Sequence, residues 1–274
     1  NRNLAWIPVP VKTIRGAGFV EHGDRFWELT PWLPGKADFH AAPNSERLRE
    51  ALRTLARFHE ATRDFQHDLP AVTPAPGIQQ RIDRLESLRD GGLGRIRKAL
   101  QHSRSSDPMS EPMSDPIAEP AGRLLELFPR AAEEVRRTLL ACQLPVPMQP
   151  CIRDVWHDHI LFSGNEVTGL VDFGAMRIET VAGDVARLLG SLVRDDPDGW
   201  KTGLAAYQET RPLSSEELSL VAAFDRSAIL MSGFSWLTWI YEERREFENL
   251  HVARSRLEEN IQRLTNLISR GPVI

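Results

Sequence analysis

CIRDVWHDHILF, residues 151–162, runs into SGNE at 163–166 and VTGLVDFG at 167–174, and this stretch decides the fold. Two short apolar runs flank Gly164 and Asn165, which marks a β-hairpin. With the turn centred there, Ser163 faces Glu166, and residues 157–159 fall opposite residues 170–172. The HDH triplet is thus expected beside Asp172, with Asp154 on the loop leading in. Asp154 and Asp172 then converge at one hairpin end, with Asp158 and two histidines close by. Gathered charge of one sign is costly unless something positive answers it. A divalent cation, alone or with a phosphate group, answers it well.

The bulk composition narrows the field. The chain has 274 residues, 41% hydrophobic and 26% charged, as in a globular protein with a sizeable core. Its formal net charge of −4 gives no footprint for nucleic acid. Cys142 and Cys151 have neither CxxC nor zinc-ligand spacing, which suits free thiols in a reducing cytoplasm. The most apolar stretch, AILMSGFSWLTWI (228–240), is too short to span a membrane and runs into YEERREFE, so it reads as a core helix. No nucleic-acid or membrane partner is expected. Asn1 stands where a start methionine would, and the expectation is a fragment whose front is missing.

Along the chain, residues 6–35 read as two strands with a turn near HGD, closing in a Pro/Gly-rich connector. GAG at 16–18 lacks the third glycine and the following helix of a phosphate loop, so it reads as a bend. Leu48, Leu52, Leu55, Ala56 and His59 share one helical face, with Asn44 or Ser45 as the cap. GIQQRIDRLESLRD is a second helix. Residues 102–121 carry a loose S-[DE]-P-M repeat with regularly placed prolines, and are expected to be a disordered insertion. Helices resume at AGRLLELFPRAAEEVRRTLLACQLP, AGDVARLLGSLV, the capping box Ser214/Glu217, and VARSRLEENIQRLTNLI. A few strands, then mostly helix with one embedded hairpin, make the class α+β.

RDVWHDHILF, VTGLVDFG and GDVARLL, in that order and spacing, resemble the aminoglycoside phosphotransferase / choline kinase family, which has the protein-kinase-like fold. WELTPWLPG (27–35) and LREALRTLARFHEA (48–61) resemble its interlobe hinge and the helix that follows. The resemblance implies a two-lobed fold, with residues 1–35 the remnant of a truncated, β-rich N-terminal lobe and hinge, and 36–274 a helical C-terminal lobe. It implies Asp154 as catalytic base and Asp172 as ligand of Mg²⁺ on ATP or GTP. It implies adenine contacts at the Pro31 carbonyl and Leu33 N–H. Asp184 would brace the catalytic loop or simply cap its helix. His159 stands at the metal-ligand position where the family has Asn, and imidazole suits Mn²⁺ better than Mg²⁺. Ile152 replaces a structural His. The family's phosphate-gripping strand lysine has no counterpart among Lys12, Lys36, Lys98 and Lys201.

The function expected is phosphoryl transfer to a hydroxyl of a soluble metabolite or aminoglycoside-like acceptor. Trp236, Glu242 and Glu243 would form an amine-binding patch by charge and cation–π contact, although Arg244 and Arg245 interrupt the acidic run as on a solvated helix face. Two other readings stand beside it. One is a nucleotide-sensing pseudokinase, motivated by His159 and the missing lysine. The other is a hydrolytic metal site built from Asp154, His157, His159 and Asp172.

Overall fold

The structure, a computed structural model, describes residues 4–65, 70, 72–105 and 115–270. In chain order the elements are β1 (Val20–His22), β2 (Arg25–Trp27), α1 (Ser45–Thr62), β3 (Val72–Pro74), α2 (Pro76–Ser87), α3 (Leu93–Ser105) and α4 (Ala118–Ala141). Then come β4 (Pro145–Pro147), β5 (Gln149–Cys151), β6 (Ile160–Ser163), β7 (Glu166–Leu170), β8 (Arg177–Glu179), α5 (Ala182–Val193), α6 (Pro197–Gln208), α7 (Ser215–Leu237) and α8 (Leu250–Arg270). Small antiparallel strand pairs among helices make the chain α+β, as expected. It divides into two compact units, Asn1–Leu69 with Met148–Leu213, and Pro70–Pro147 with Ser214–Ile274. Residue 35, the expected boundary, lies inside the first unit.

In the first unit, β1 pairs with β2 from Val20–Trp27 to His22–Arg25. Gly23 and Asp24, with φ of 59° and 56°, form the tight turn that suits the twist of two antiparallel strands. Helix α1 starts where Asn44 accepts a hydrogen bond from the Arg47 N–H at 2.9 Å. It buries the expected face of Leu48, Leu52, Leu55, Ala56 and His59. Helix α6 packs on α1; its Asp196 cap and Pro197 are start signals that the sequence reading passed over.

The β6–β7 hairpin holds the predicted register at its tip, Ser163 facing Glu166 and Phe162 facing Val167. A bulge between Leu161 and Phe162 then shifts the pairing by one, so Ile160 faces Leu170. The Val171 N–H donates to the His159 carbonyl at 3.0 Å, continuing the shifted register toward the site.

The connector from β2 is fastened to this hairpin. Lys36 and Phe162 exchange two backbone hydrogen bonds of 2.9 Å, and the Thr168 hydroxyl donates to the Pro34 carbonyl at 2.6 Å. Between them Gly35 has φ +103°, and a Cβ there would lie 2.3 Å from Thr168 Oγ1 and 2.8 Å from the Phe162 carbonyl oxygen. Backbone cannot step aside cheaply, so Gly35→Ala is expected to destabilise the protein by about 1–3 kcal/mol. Thermal melting checks this; an unchanged melting temperature would contradict the fastening.

In the second unit, α2, α3, α4, α7 and α8 bury one another's apolar faces. Leu124, Phe128, Leu230, Phe234, Leu257 and Leu264 are nearly or fully buried, and the Phe128 and Phe234 rings meet edge to face at 4.9 Å. The capping box forms as expected: Ser214 Oγ accepts from the Glu217 N–H, and Glu217 accepts from the Ser214 N–H. Helix α7 then widens into a π-type turn over Thr238–Glu242. No helix among the described residues is long and apolar enough to cross a membrane.

Two short strand pairings, β3 with β4 and β5 with β8, and helix α3 were not foreseen. β3, β4 and β5 are three-residue strands containing proline, which withholds the N–H that strand patterns rely on. The proposed insertion at 102–121 also needs narrower edges. Residues up to Ser105 complete α3, while Ile117 and Ala121 are fully buried at the start of α4. Residues 106–114 of that stretch lie outside the described residues. Apolar Ile117, Ala118 and Ala121 supply the packing that the Pro/Ser pattern obscured.

Candidate active site

The loop of residues 152–159 is held from beneath by Asp184. This carboxylate is 1% exposed and accepts the Ile152 N–H at 2.7 Å and the Arg153 N–H at 2.6 Å, one on each oxygen. Arg153 has φ +67°, a left-handed conformation costly for a residue with a side chain, and the paired hydrogen bonds over-determine it. Asp184 Oδ2 lies 3.1 Å from His59 Nε2, and His59 Nδ1 lies 2.6 Å from the Tyr207 hydroxyl. Since a carboxylate only accepts, His59 donates from Nε2 and accepts the tyrosine proton at Nδ1. Of the two roles open to Asp184, loop brace and helix cap, the structure shows the brace; Val181 holds the cap position of α5.

Asp154 is presented on the braced loop with its carboxylate about half exposed. Arg187, one turn beyond Asp184 on α5, donates from Nη2 to Asp154 Oδ1. Asp172 follows β7 with φ +65°, its carboxylate more than half exposed. The neighbouring Phe173 ring packs against Phe58 of α1 at 5.7 Å, fixing the turn to the core. An exposed carboxylate of hard oxygens fits Mg²⁺, so Asp172 is a chemically suitable ligand.

His159 fits that ion less well. Its Nδ1 lies 2.7 Å from the Asp154 carbonyl, which can only accept, so Nδ1 carries the proton. Its Nε2 then accepts the Trp156 indole N–H at 2.8 Å. The 3.5 Å approach of Nε2 to Asp172 Oδ2 is therefore not an ion pair, because that nitrogen has no proton to share. His159 was expected as a metal ligand, and both of its nitrogens are engaged within the protein.

The four-residue hydrolytic site does not assemble. His157 is buried, its ring 4.4 Å from that of His40 and its Nε2 3.5 Å from Asp158. Among the described residues, the trio with mutually close ligand atoms is His59, Cys151 and Asp184, within 4.8 Å. Its histidine and carboxylate are spent on the brace, and the Cys151 thiol donates to the Glu179 carbonyl at 3.3 Å. Burial, then the charges of Asp184 and Glu179, push the Cys151 thiol well up, away from the thiolate a metal needs. Burial likewise raises Cys142. Native protein at pH 8 is accordingly expected to resist alkylation by iodoacetamide, whereas unfolded protein takes two equivalents. Fast native labelling at Cys151 would overturn the buried-brace geometry.

The connector residues Pro31 and Leu33 lie in the first unit with the acidic pair, Leu33 against Gly169 of β7. No backbone hydrogen bond among the described residues takes up the Pro31 carbonyl or the Leu33 N–H. Trp236, Glu242 and Glu243 belong to the second unit. Trp236 stacks edge to face with Trp239 at 5.2 Å and also meets Phe247. Glu242 is paired with Arg95 at 2.7 Å and Glu243 with Arg245 at 2.6 Å, while Arg245 also covers the Trp239 face at 5.1 Å. The expected patch is thus met by the protein's own guanidinium groups, and both carboxylates are already answered by charge.

Sequence reasoning singled out neither Arg187 nor the bond from Trp156 to His159, and it placed His59 only as a core-facing residue. Arg187 had a usable signal, its i+3 spacing from Asp184 on one helix face. A histidine on an otherwise apolar face of α1 was another, since a buried imidazole requires partners.

These features define the helical and hairpin parts of a kinase-like fold, with an acidic pair at the hairpin end. The family model for the phosphotransferase enzyme family, APH, matches residues 2–218, and the chain belongs to that family. A homoserine kinase of Agrobacterium fabrum (strain C58 / ATCC 33970) is 24% identical over 244 residues, covering 84% of this chain and 64% of its own. The chain thus spans under two thirds of the length of that curated relative. An aminoglycoside phosphotransferase of Alicyclobacillus acidocaldarius has the same fold, with a TM-score of 0.60 at 19% identity over 98% of this chain and 77% of its own. A spectinomycin phosphotransferase solved with ADP and spectinomycin aligns with a TM-score of 0.63 at 9% identity, over 96% and 78%.

Proposed function

We propose that the protein is a small-molecule kinase that transfers the γ-phosphoryl group of ATP, or GTP, to a hydroxyl of a small soluble acceptor. The observation that carries this reading is that Asp154 and Asp172 flank His159 at one end of the β6–β7 hairpin, its Nδ1 2.7 Å from the Asp154 carbonyl and its Nε2 3.5 Å from Asp172 Oδ2, with Asp184 holding the loop that carries Asp154. Phosphoryl transfer is mainly positioning and charge neutralisation, and a braced loop supplies the positioning. Asp154 would orient the acceptor hydroxyl and take its proton as the oxygen bonds to phosphorus and the nucleoside diphosphate leaves. Arg187 would hold that carboxylate in place. Asp172 would hold Mg²⁺, whose charge neutralises the phosphate oxygens. Pro31 and Leu33 would offer the adenine one acceptor and one donor.

The homoserine kinase relative makes an amino alcohol the first acceptor to try, ahead of aminoglycosides. The ion-paired state of Glu242 and Glu243 gives no added weight to an amine patch there. A cytoplasmic setting, where ATP and Mg²⁺ abound, suits the reading. The test is ADP release from ATP and Mg²⁺ with homoserine, choline and aminoglycosides in turn. Turnover with one acceptor, absent in Asp154→Asn, supports the proposal. Tight metal-dependent nucleotide binding with no turnover on any acceptor would favour the nucleotide-sensing alternative, which rests on His159 in place of Asn.

A further inference from the structure

We infer that Trp156 keeps His159 out of the metal's coordination shell and so reserves the site for an oxygen-loving ion. This rests on the nucleotide–metal reading of Asp172. An imidazole nitrogen has one lone pair, so a hydrogen bond at Nε2 and a metal bond at Nε2 exclude each other. The Nδ1 proton is fixed by the Asp154 carbonyl, which leaves Nε2 as the sole possible ligand atom, and the Trp156 indole N–H occupies it at 2.8 Å.

Distance is not the obstacle. Nε2 lies 3.5 Å from Asp172 Oδ2, and one ion with bonds of about 2.1 Å can touch two atoms so spaced. The availability of the lone pair therefore decides whether His159 ligates. Trp156 is well placed to hold it. Its backbone is extended, with φ −152° and ψ 178°, at the start of the turn His157–His159. Its ring meets His157 at 4.6 Å and stands at 81° to the His159 ring, aiming Nε1 at Nε2.

Mg²⁺ gains little from nitrogen and leaves this hydrogen bond intact, whereas Mn²⁺ and Zn²⁺ gain more from imidazole. The Trp156–His159 bond thus sets the cost of admitting the softer ions. A histidine at this ligand position does not by itself make a manganese enzyme; the indole keeps the ion's protein ligands to oxygen.

Electron spin echo envelope modulation of Mn²⁺ bound with the ATP analogue AMP-PNP reads nitrogen coordination directly. In the unaltered protein the spectrum is expected to show no imidazole ¹⁴N coupling, and His159→Gln leaves it unchanged. In Trp156→Phe the coupling appears, Mn²⁺ affinity rises about 3- to 10-fold, the worth of one hydrogen bond, and both changes vanish in Trp156→Phe/His159→Gln. Imidazole coupling in the unaltered protein that His159→Gln removes would overturn the inference, whatever Trp156→Phe does to folding. Coupling absent from a folded Trp156→Phe protein would overturn it too. In either case, loss of Mn²⁺–AMP-PNP binding in Asp172→Asn keeps the underlying site intact. Binding unaffected by Asp172→Asn would sink that site and this inference with it.

Discussion

Asp154→Asn is expected to lower kcat by about 10²- to 10⁴-fold, the usual contribution of a positioned proton acceptor. Nucleotide binding and melting temperature should barely move. The carboxylate is about half exposed and faces Arg187, so the amide fits the same space and leaves no buried charge alone. An Asn oxygen can still accept from Arg187, but it can no longer take the hydroxyl proton. A loss confined to kcat places Asp154 at the chemistry. A loss that appears instead in nucleotide affinity or stability would reassign Asp154 to the loop's architecture.

Asp184→Ala is expected to have the largest effect on stability, about 3–5 kcal/mol, because one side chain answers two buried partners, the Ile152 N–H and His59, and the part-buried Arg153 N–H. Removing it orphans the buried Ile152 N–H and His59 Nε2–H, each costing about 1–3 kcal/mol without a partner, and frees the part-buried Arg153 N–H. Arg153 would also lose what holds its left-handed backbone. Asp184→Asn keeps one acceptor and should lose less. Chemical denaturation measures both, and near-native stability of the alanine variant would contradict the brace. Because the loop carries Asp154, activity of whatever folded Asp184→Ala protein remains should also fall.

The hairpin that assembles the site was legible because side-chain alternation and a Gly-Asn turn fix which residues face each other. The reading erred by one residue beyond Leu161, since a bulge is set by packing against the connector and leaves no local mark. Helix α1 was legible to its cap for a similar reason: a single amphipathic face and an Asn at its start. Pairings built from prolines were invisible, as were the buried ends of the Ser/Pro stretch. Family spacing pointed to Asp154, Asp172 and His159, but it treated His159 as a free ligand. The partner that occupies its lone pair, Trp156, is three residues away, and only the turn of residues 157–159 brings the two together. For the Glu/Trp patch, the interrupting Arg245 was legible in sequence as a neighbour of the acidic run, but Arg95, the partner of Glu242, comes from a distant helix and was not.

Asp172 is proposed to anchor a metal-bound nucleotide at the hairpin end. Calorimetric titration of ATP with Mg²⁺ into the protein and into Asp172→Asn tests it most directly. Metal-dependent binding is expected in the unaltered protein and abolished in Asp172→Asn, with no gain on replacing Mg²⁺ by Mn²⁺ while Trp156 is present. Metal-dependent binding of equal strength in both proteins would contradict it.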